Sequence, residues 1–516
     1  MNAPRPAYDA EKEPRMNIQV DKRKRTPVYL QIADAVKSRI RSGELPDGSA
    51  LPSERILAQM LGVHRNTVTK AYGELKADGL LHSRQGAGYT VVSPAAEAGG
   101  VPVRGKRVNW TNQIKARHLD MDTFFDDLFE RADGESRCSM GAGIAQGGVY
   151  DRDKLARDIA ALLRTKDTGK DFYSPYKGDR ELRQKLVSFL RTKGVKASVG
   201  EIQVLGEMNQ AFGFLVLMLV KPGDVVLTEE PVSPDIYRIV ELAGGSVCGV
   251  PMDSHGVDCD VLEELVQQKK PRFLYINSSF HDPTGVELSP ERRRRVIEIS
   301  NAYRVPVIEE DAASELVYDG PPVTPLKALD TLDNVIYIYS FSLTFVPGLS
   351  LAFVAADKNV VESLSYLVSV NMAAPDWITQ KLVAQYLEDG SYFAMLDAFR
   401  ASYRRKRDLV CRALDTLAPL GMRYEKPRGG VYVWCRLPGG LDSKLFAARA
   451  YSAGVTVIPG HLFYPNKKEG RSFLRVNYSH ESEQRLARGM EILSRTLREM
   501  SDIPSLPEPG RDESLI

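Results

Sequence analysis

A chain of 516 residues with 43% apolar and 26% charged side chains can bury a sizeable core and build more than one domain, which excludes a disordered or fibrous protein. Its longest apolar run, Ala211 to Val220, is too short to span a bilayer, and its five scattered cysteines form no CxxC pair and no His-rich neighbourhood. Net charge is only +2, yet residues 22–92 hold twelve Lys/Arg against six Asp/Glu, so the rest stands at −4. A basic head on a non-basic body points to a nucleic-acid contact at one end. No membrane partner, no metal site and no signal peptide are predicted, because the N-terminus is polar and lacks an apolar stretch; the expected compartment is the cytoplasm.

Residues 1–21 read as a disordered arm, followed by the basic run Lys22-Arg23-Lys24-Arg25. Val28, Ile32, Val36 and Ile40 then recur every four residues and predict a helix ended by Gly43. Ser53 is a suitable N-cap for a second helix, whose apolar face would be Ile56, Leu57, Met60 and Leu61 before Gly62 breaks it. A third helix begins at Arg65, with Val68, Ala71, Tyr72 and Leu75 turned inward. Its opening carries Arg65, Asn66, Thr67 and Thr69, side chains that can bond base edges and phosphates from a helix N-terminus in the major groove. Residues 79–92 read as a hairpin, or wing, with Arg84 at its glycine-rich tip.

Residues 93–133 read as a linker, flexible at Pro94 to Gly100, with Trp110 and Phe124-Phe125 expected to dock its later part. From 134 to 500 short apolar strands alternate with helices, which argues for an α/β domain with a mostly parallel sheet; 501–516 is a tail. Four consecutive arginines at 292–295 read as a solvated helix face.

Residues 22–92 resemble the winged helix-turn-helix of the GntR family, on Leu51-Pro52-Ser53-Glu54-Arg55, Gly62-Val63-His64-Arg65-Asn66-Thr67-Val68, and Gly79-Leu80 through Gly86-Ala87-Gly88. The resemblance implies a double-stranded DNA operator as partner, contacted by Ser53, Arg55, Arg65, Thr67 and the wing at Gly86. The second domain is similar to fold-type I aminotransferases, on Tyr173 to Arg183, Asp282-Pro283-Thr284-Gly285, Gly429 to Trp434, and Tyr339 to Ser350. A GntR head on this fold resembles the MocR architecture, which implies a homodimer.

In that family a lysine forms a Schiff base with pyridoxal phosphate; here its position is Leu343, which cannot form an imine. The positions implied for the pyridine partner and phenolic contacts are Glu310, Ala312 and Asp282, and the phosphate cup becomes Gly206-Glu207-Met208-Asn209. A glutamate there repels a phosphate dianion. Ser340 and Ser342 remain as phosphate donors, Tyr176 belongs to the same pocket, and Arg475 stands where a substrate carboxylate is gripped. The expectation is therefore a transcriptional regulator, with no catalytic residue and the covalent cofactor lost. Its degenerate aminotransferase-like domain would sense an amino acid or amine, dimerise, or both. The alternatives are a pyridoxal-phosphate-dependent enzyme with a DNA-binding head, and a dimerisation module with no effector.

Overall fold

The computed structural model describes residues 18, 20–21, 26–41, 44–84, 88–92, 137–141, 143–145, 147–164, 174–466 and 469–501. The expected linker, the C-terminal tail and the wing tip at Gly86 lie outside the described residues. The chain divides into two compact units, 1–121 and 122–516.

The head consists of helices α1 (Val28–Arg41), α2 (Glu54–Leu61) and α3 (Arg65–Ala77), with strands β1 (Ala50–Leu51), β2 (Leu81–Arg84) and β3 (Gly88–Val91) in the order β1-β3-β2, all antiparallel. The helix boundaries follow from capping. Ser53 Oγ accepts from Ile56 N at 3.3 Å to start α2, and Gly62 ends it at φ 61°, a left-handed conformation that favours glycine. The expected α1 stripe is buried through Ile32, Val36 and Ile40, and Val68, Ala71, Tyr72 and Leu75 of α3 close on it. Full burial of each large apolar side chain contributes about 1.5–3 kcal/mol. Met60, expected on the inner face, is instead exposed: α2 has only two turns, and Leu57 and Ala58 take its inward positions. Tyr72 ties α3 to the α2 approach, its hydroxyl donating to Pro52 O at 2.8 Å. Ile18 joins this core and Asp21 bonds Gln31, so the head recruits residues upstream of 22, where the sequence reading drew its boundary.

The body is built on an eight-stranded sheet. Its strands are β5 (Ile202–Leu205), β6 (Val225–Glu230), β7 (Ser246–Asp253), β8 (Gly256–Val257), β9 (Leu274–Asn277), β10 (Val307–Asp311), β11 (Val335–Ser340) and β12 (Ala352–Ala355), preceded in the chain by the short β4 (Cys138–Ser139). The sheet order is β5-β12-β11-β10-β9-β6-β7-β8, parallel from β11 to β7 and antiparallel at both edges. Strands β9, β10 and β11 are buried along their whole length, which accounts for the largely apolar β9 and β11, whereas β10 ends on three buried acids, Glu309, Glu310 and Asp311. Helices α4 (Met208–Leu219) and α5 (Pro234–Leu242) cover one face, where Phe212 and Ile236 pack on Tyr275, Ile308 and Ile338.

A smaller antiparallel sheet follows, β13 (Arg423–Tyr424), β14 (Tyr432–Arg436), β16 (Ile458–Pro459) and β17 (Phe473–Asn477), in the order β13-β14-β17-β16; β15 (Val455–Thr456) pairs with β4. The parallel strands of the large sheet all end at one edge. Open α/β sheets bind ligands outside such carboxyl ends.

Candidate functional site

On the head, Arg65 and Asn66 open α3 and are exposed, whereas Thr67 is half-buried. The helix is capped by His64, whose Nδ1 accepts from Asn66 N at 3.3 Å. Arg55 is exposed on α2, and Arg84 ends β2 in the wing. Arg65 is held in place: its Nε and Nη2 donate to Glu54 Oε2 at 3.2 and 3.1 Å, while Tyr89 Oη donates to Glu54 Oε1 at 2.9 Å. Neither Glu54 nor Tyr89 was singled out from the sequence. Apolar periodicity gives no signal for either, and only the three-dimensional approach of α2, α3 and β3 reveals the chain.

In the body, the ends of β9, β10 and β11 bring several of the expected residues to one edge. Leu343 lies just past β11, 5% exposed, and belongs to the apolar cluster of Tyr339, Phe341 and Phe345. Ser340 and Ser342 satisfy each other: Ser340 Oγ donates to Ser342 Oγ at 3.0 Å and accepts from Ser342 N at 3.2 Å. At the start of α4, Glu207 turns its carboxylate onto its own helix, where Oε2 accepts from Met208 N at 3.0 Å. A negative charge there complements the positive helix end. Asn209 Nδ2 donates to Asp235 Oδ2 at 3.1 Å, which links the first turns of α4 and α5. Tyr176 is largely exposed, its hydroxyl 3.8 Å from Met372 Sδ.

Arg475, on β17, is already engaged. Its Nη1 donates to Asp282 Oδ1 at 2.6 Å and its Nη2 to Gly141 O at 2.8 Å. The guanidinium lies over the rings of Tyr432 (4.5 Å) and Phe463 (4.9 Å). Burial works against its charge, but the Asp282 carboxylate outweighs this and holds the group above its ordinary pKa. Register β14–β17 sets Trp434 opposite Arg475, and the indole stacks on Phe473 at 5.3 Å and meets Phe463 edge-on at 5.5 Å.

The Glu310 side chain, in a residue 6% exposed, receives no hydrogen bond or ion pair from the described residues, although its backbone lies in the β10 ladder. Burial first, then Asp311 and Asp235, push its carboxyl up to about 8. Glu229, at the end of β6, is also lifted to about 8, by burial and by Glu310, although Asn277 N donates to it at 2.6 Å. His281 Nε2 lies 3.7 Å from Glu229 Oε2, but burial drives the imidazole down to about 3, so it is neutral. The sequence reading missed Asp235, Glu229, Asn277 and His281. Asp in a helix first turn and polar residues at strand ends are ordinary, and convergence here is a tertiary fact.

The family model for aminotransferase class I and II matches residues 147–493, and that for bacterial regulatory proteins, gntR family, matches residues 28–91. The uncharacterized HTH-type transcriptional regulator YisV of Bacillus subtilis is 28% identical over 475 residues, 92% of this chain and 96% of its own. The probable rhizopine catabolism regulatory protein MocR of Rhizobium meliloti is 23% identical over 444 residues, 84% of this chain and 86% of its own. Among solved structures, LysN, the alpha-aminoadipate aminotransferase of Thermus thermophilus, superposes with a TM-score of 0.70 at 28% identity, over 76% of this chain and 99% of that one. The chain belongs to the aminotransferase class I and II family, and its gntR-type head makes it a transcriptional regulator of the MocR type.

Proposed function

We propose that the head reads an operator through Ser53, Arg55, Arg65, Asn66, Thr67 and the wing at Arg84 and Gly86. In this reading the body is a cofactor-free sensor that responds to a small molecule directly and dimerises, so that two heads read two half-sites in the cytoplasm. No transamination is expected. One observation carries the cofactor-free part: the anion position at the start of α4 is taken by the chain's own Glu207 carboxylate.

The residues at the carboxyl edge do not fit pyridoxal phosphate. A Schiff base needs an amine where Leu343 sits, and a phosphate dianion would meet Glu207 with Asp235 close to Asn209. Ser340 and Ser342, the remaining phosphate donors, are turned to each other. Lys327 and Lys358 flank the stretch that contains Leu343, with no lysine between them. Lys327 is moreover committed to Asp330 at 3.0 Å.

The test is the absorbance spectrum of the full-length protein with and without pyridoxal phosphate, followed by borohydride reduction. No reducible band is expected, together with operator binding that changes on addition of a metabolite. A reducible band would return the body to the enzyme reading. Operator binding indifferent to every metabolite would leave a dimerisation module.

A further inference from the structure

The polar groups at the carboxyl edge of the large sheet are unequal in a way that selects a ligand. Arg475, the guanidinium that could receive a carboxylate, is closed on Asp282 and Gly141 O, so this pair is neutral as a unit. Opening it would strand a buried charge, which costs several kcal/mol. The Arg475 Nε is left without an acceptor, whereas beside Glu310 the unanswered groups are acceptors. Glu310 and Asn277 are registered partners on adjacent parallel strands, so their side chains leave the same face of the sheet. That face is identified by the residues two positions earlier on each strand, Ile308 and Tyr275, which pack under α4 and α5. Glu310 and Asn277 therefore point toward the helix starts that carry Glu207, Asn209 and Asp235.

Asn277 is 7% exposed, and no donor reaches its Oδ1. Asn277 Oδ1 is a buried acceptor without a donor, and the Glu310 carboxyl stands beside it. An apolar ligand would leave both unsatisfied, and an anion would add repulsion. A primary ammonium supplies three N–H donors and a positive charge.

Resting on the cofactor-free sensor reading, we propose that this edge binds a short aliphatic amine without a carboxylate, its ammonium held between Glu310 and Asn277 Oδ1 and drawn in by the exposed Asp235. The titratable groups near Glu310 are Asp311, its neighbour on the opposite face of the strand, Asp235 on α5, Glu229 at the end of β6, and Tyr432 of the smaller sheet with the Asp282–Arg475 pair that joins the turn after β9 to that sheet. Apart from that internally paired arginine they are acids or neutral, so the empty site keeps a proton on Glu310 near neutrality. Ammonium binding displaces it. Uptake is then accompanied by proton release and strengthens as pH rises toward about 8.

Calorimetry on the full-length protein tests this, with butylamine, putrescine and γ-aminobutyrate titrated at neutral pH in two buffers of different ionisation heat. Butylamine and putrescine are expected to bind with proton release, and γ-aminobutyrate to bind about tenfold more weakly or not at all. Glu310→Gln, which keeps the shape and removes the charge, is expected to weaken amine binding about tenfold and to abolish the buffer dependence. Asp282→Asn, which frees Arg475, is expected to turn the preference toward γ-aminobutyrate. Preference of the unaltered protein for γ-aminobutyrate would overturn the amine proposal and leave the sensor reading intact. Failure of both amines to bind would overturn it as well. A reducible band with pyridoxal phosphate would overturn the sensor reading itself.

Discussion

Two helix starts in this molecule use the same electrostatic resource in opposite ways. In the head, α3 begins with an imidazole cap, His64, and presents exposed Arg65 and Asn66 beside it. In the body, α4 begins with a carboxylate cap, Glu207, which sits on the positive end of the helix. The first start is left open to an external phosphate; the second is neutralised from within. On the reading proposed above, the contrast lies in which side chain caps each helix start.

The contrast can be broken at its strongest point by placing an amine where the family has one. Leu343→Lys would bury an ammonium among Tyr339, Phe341 and Phe345, and should destabilise the body by about 2 kcal/mol or more in thermal unfolding. It should still give no reducible band with pyridoxal phosphate, because Glu207 and Asp235 remain. A band from this single substitution would mean that the helix start is not what excludes the cofactor.

On the head, Arg65→Ala should weaken binding to an operator selected from random duplexes by about 1–3 kcal/mol, read by fluorescence anisotropy. A merely solvated arginine would leave the affinity unchanged. A pH series sharpens the body's side of the comparison. In the folded body Glu310 and Glu229 hold their protons up to about 8, whereas an unfolded glutamate releases its proton near about 4.3. The folded state thus binds more protons than the unfolded one across that window, so stability falls as pH rises through it. The melting temperature of the body should decline from about pH 5 to about pH 8, and Glu310→Gln should flatten the slope. The smallest effect belongs to Glu54→Gln. It loosens Arg65 by removing an ion pair that is exposed on the arginine side, which is worth about 1 kcal/mol or less, and should lower operator affinity a few-fold while the head's melting temperature barely moves.

Much of this was legible from residue order alone. The three head helices, their caps at Ser53 and Gly62, and the buried stripe of α3 followed from local rules that act within a few residues. Leu343 and Glu310 were picked out by the resemblance to aminotransferase segments, and the structure places Glu310 near the end of β10 and Leu343 just past β11. The Arg475–Asp282 pair joins residues 193 apart in the chain and depends on how the small sheet meets the end of β9. Asn277 closes an apolar strand and looks like an ordinary terminator; only the β9–β10 register sets it beside Glu310. Met60 fitted a helical stripe yet faces outward, because periodicity ranks faces but does not count how many neighbours are available to cover them.

The stacked Trp434 has a practical consequence. The chain contains three tryptophans, and this one lies parallel to Phe473 and edge-on to Phe463, whose ring supports the Arg475 guanidinium. Any occupant that shifts that arginine changes the surroundings of the indole by way of one aromatic ring. The protein therefore carries a built-in fluorophore beside Arg475, and the difference in emission between the unaltered chain and Trp434→Phe would report, without a dye or label, whether an occupant moves that arginine.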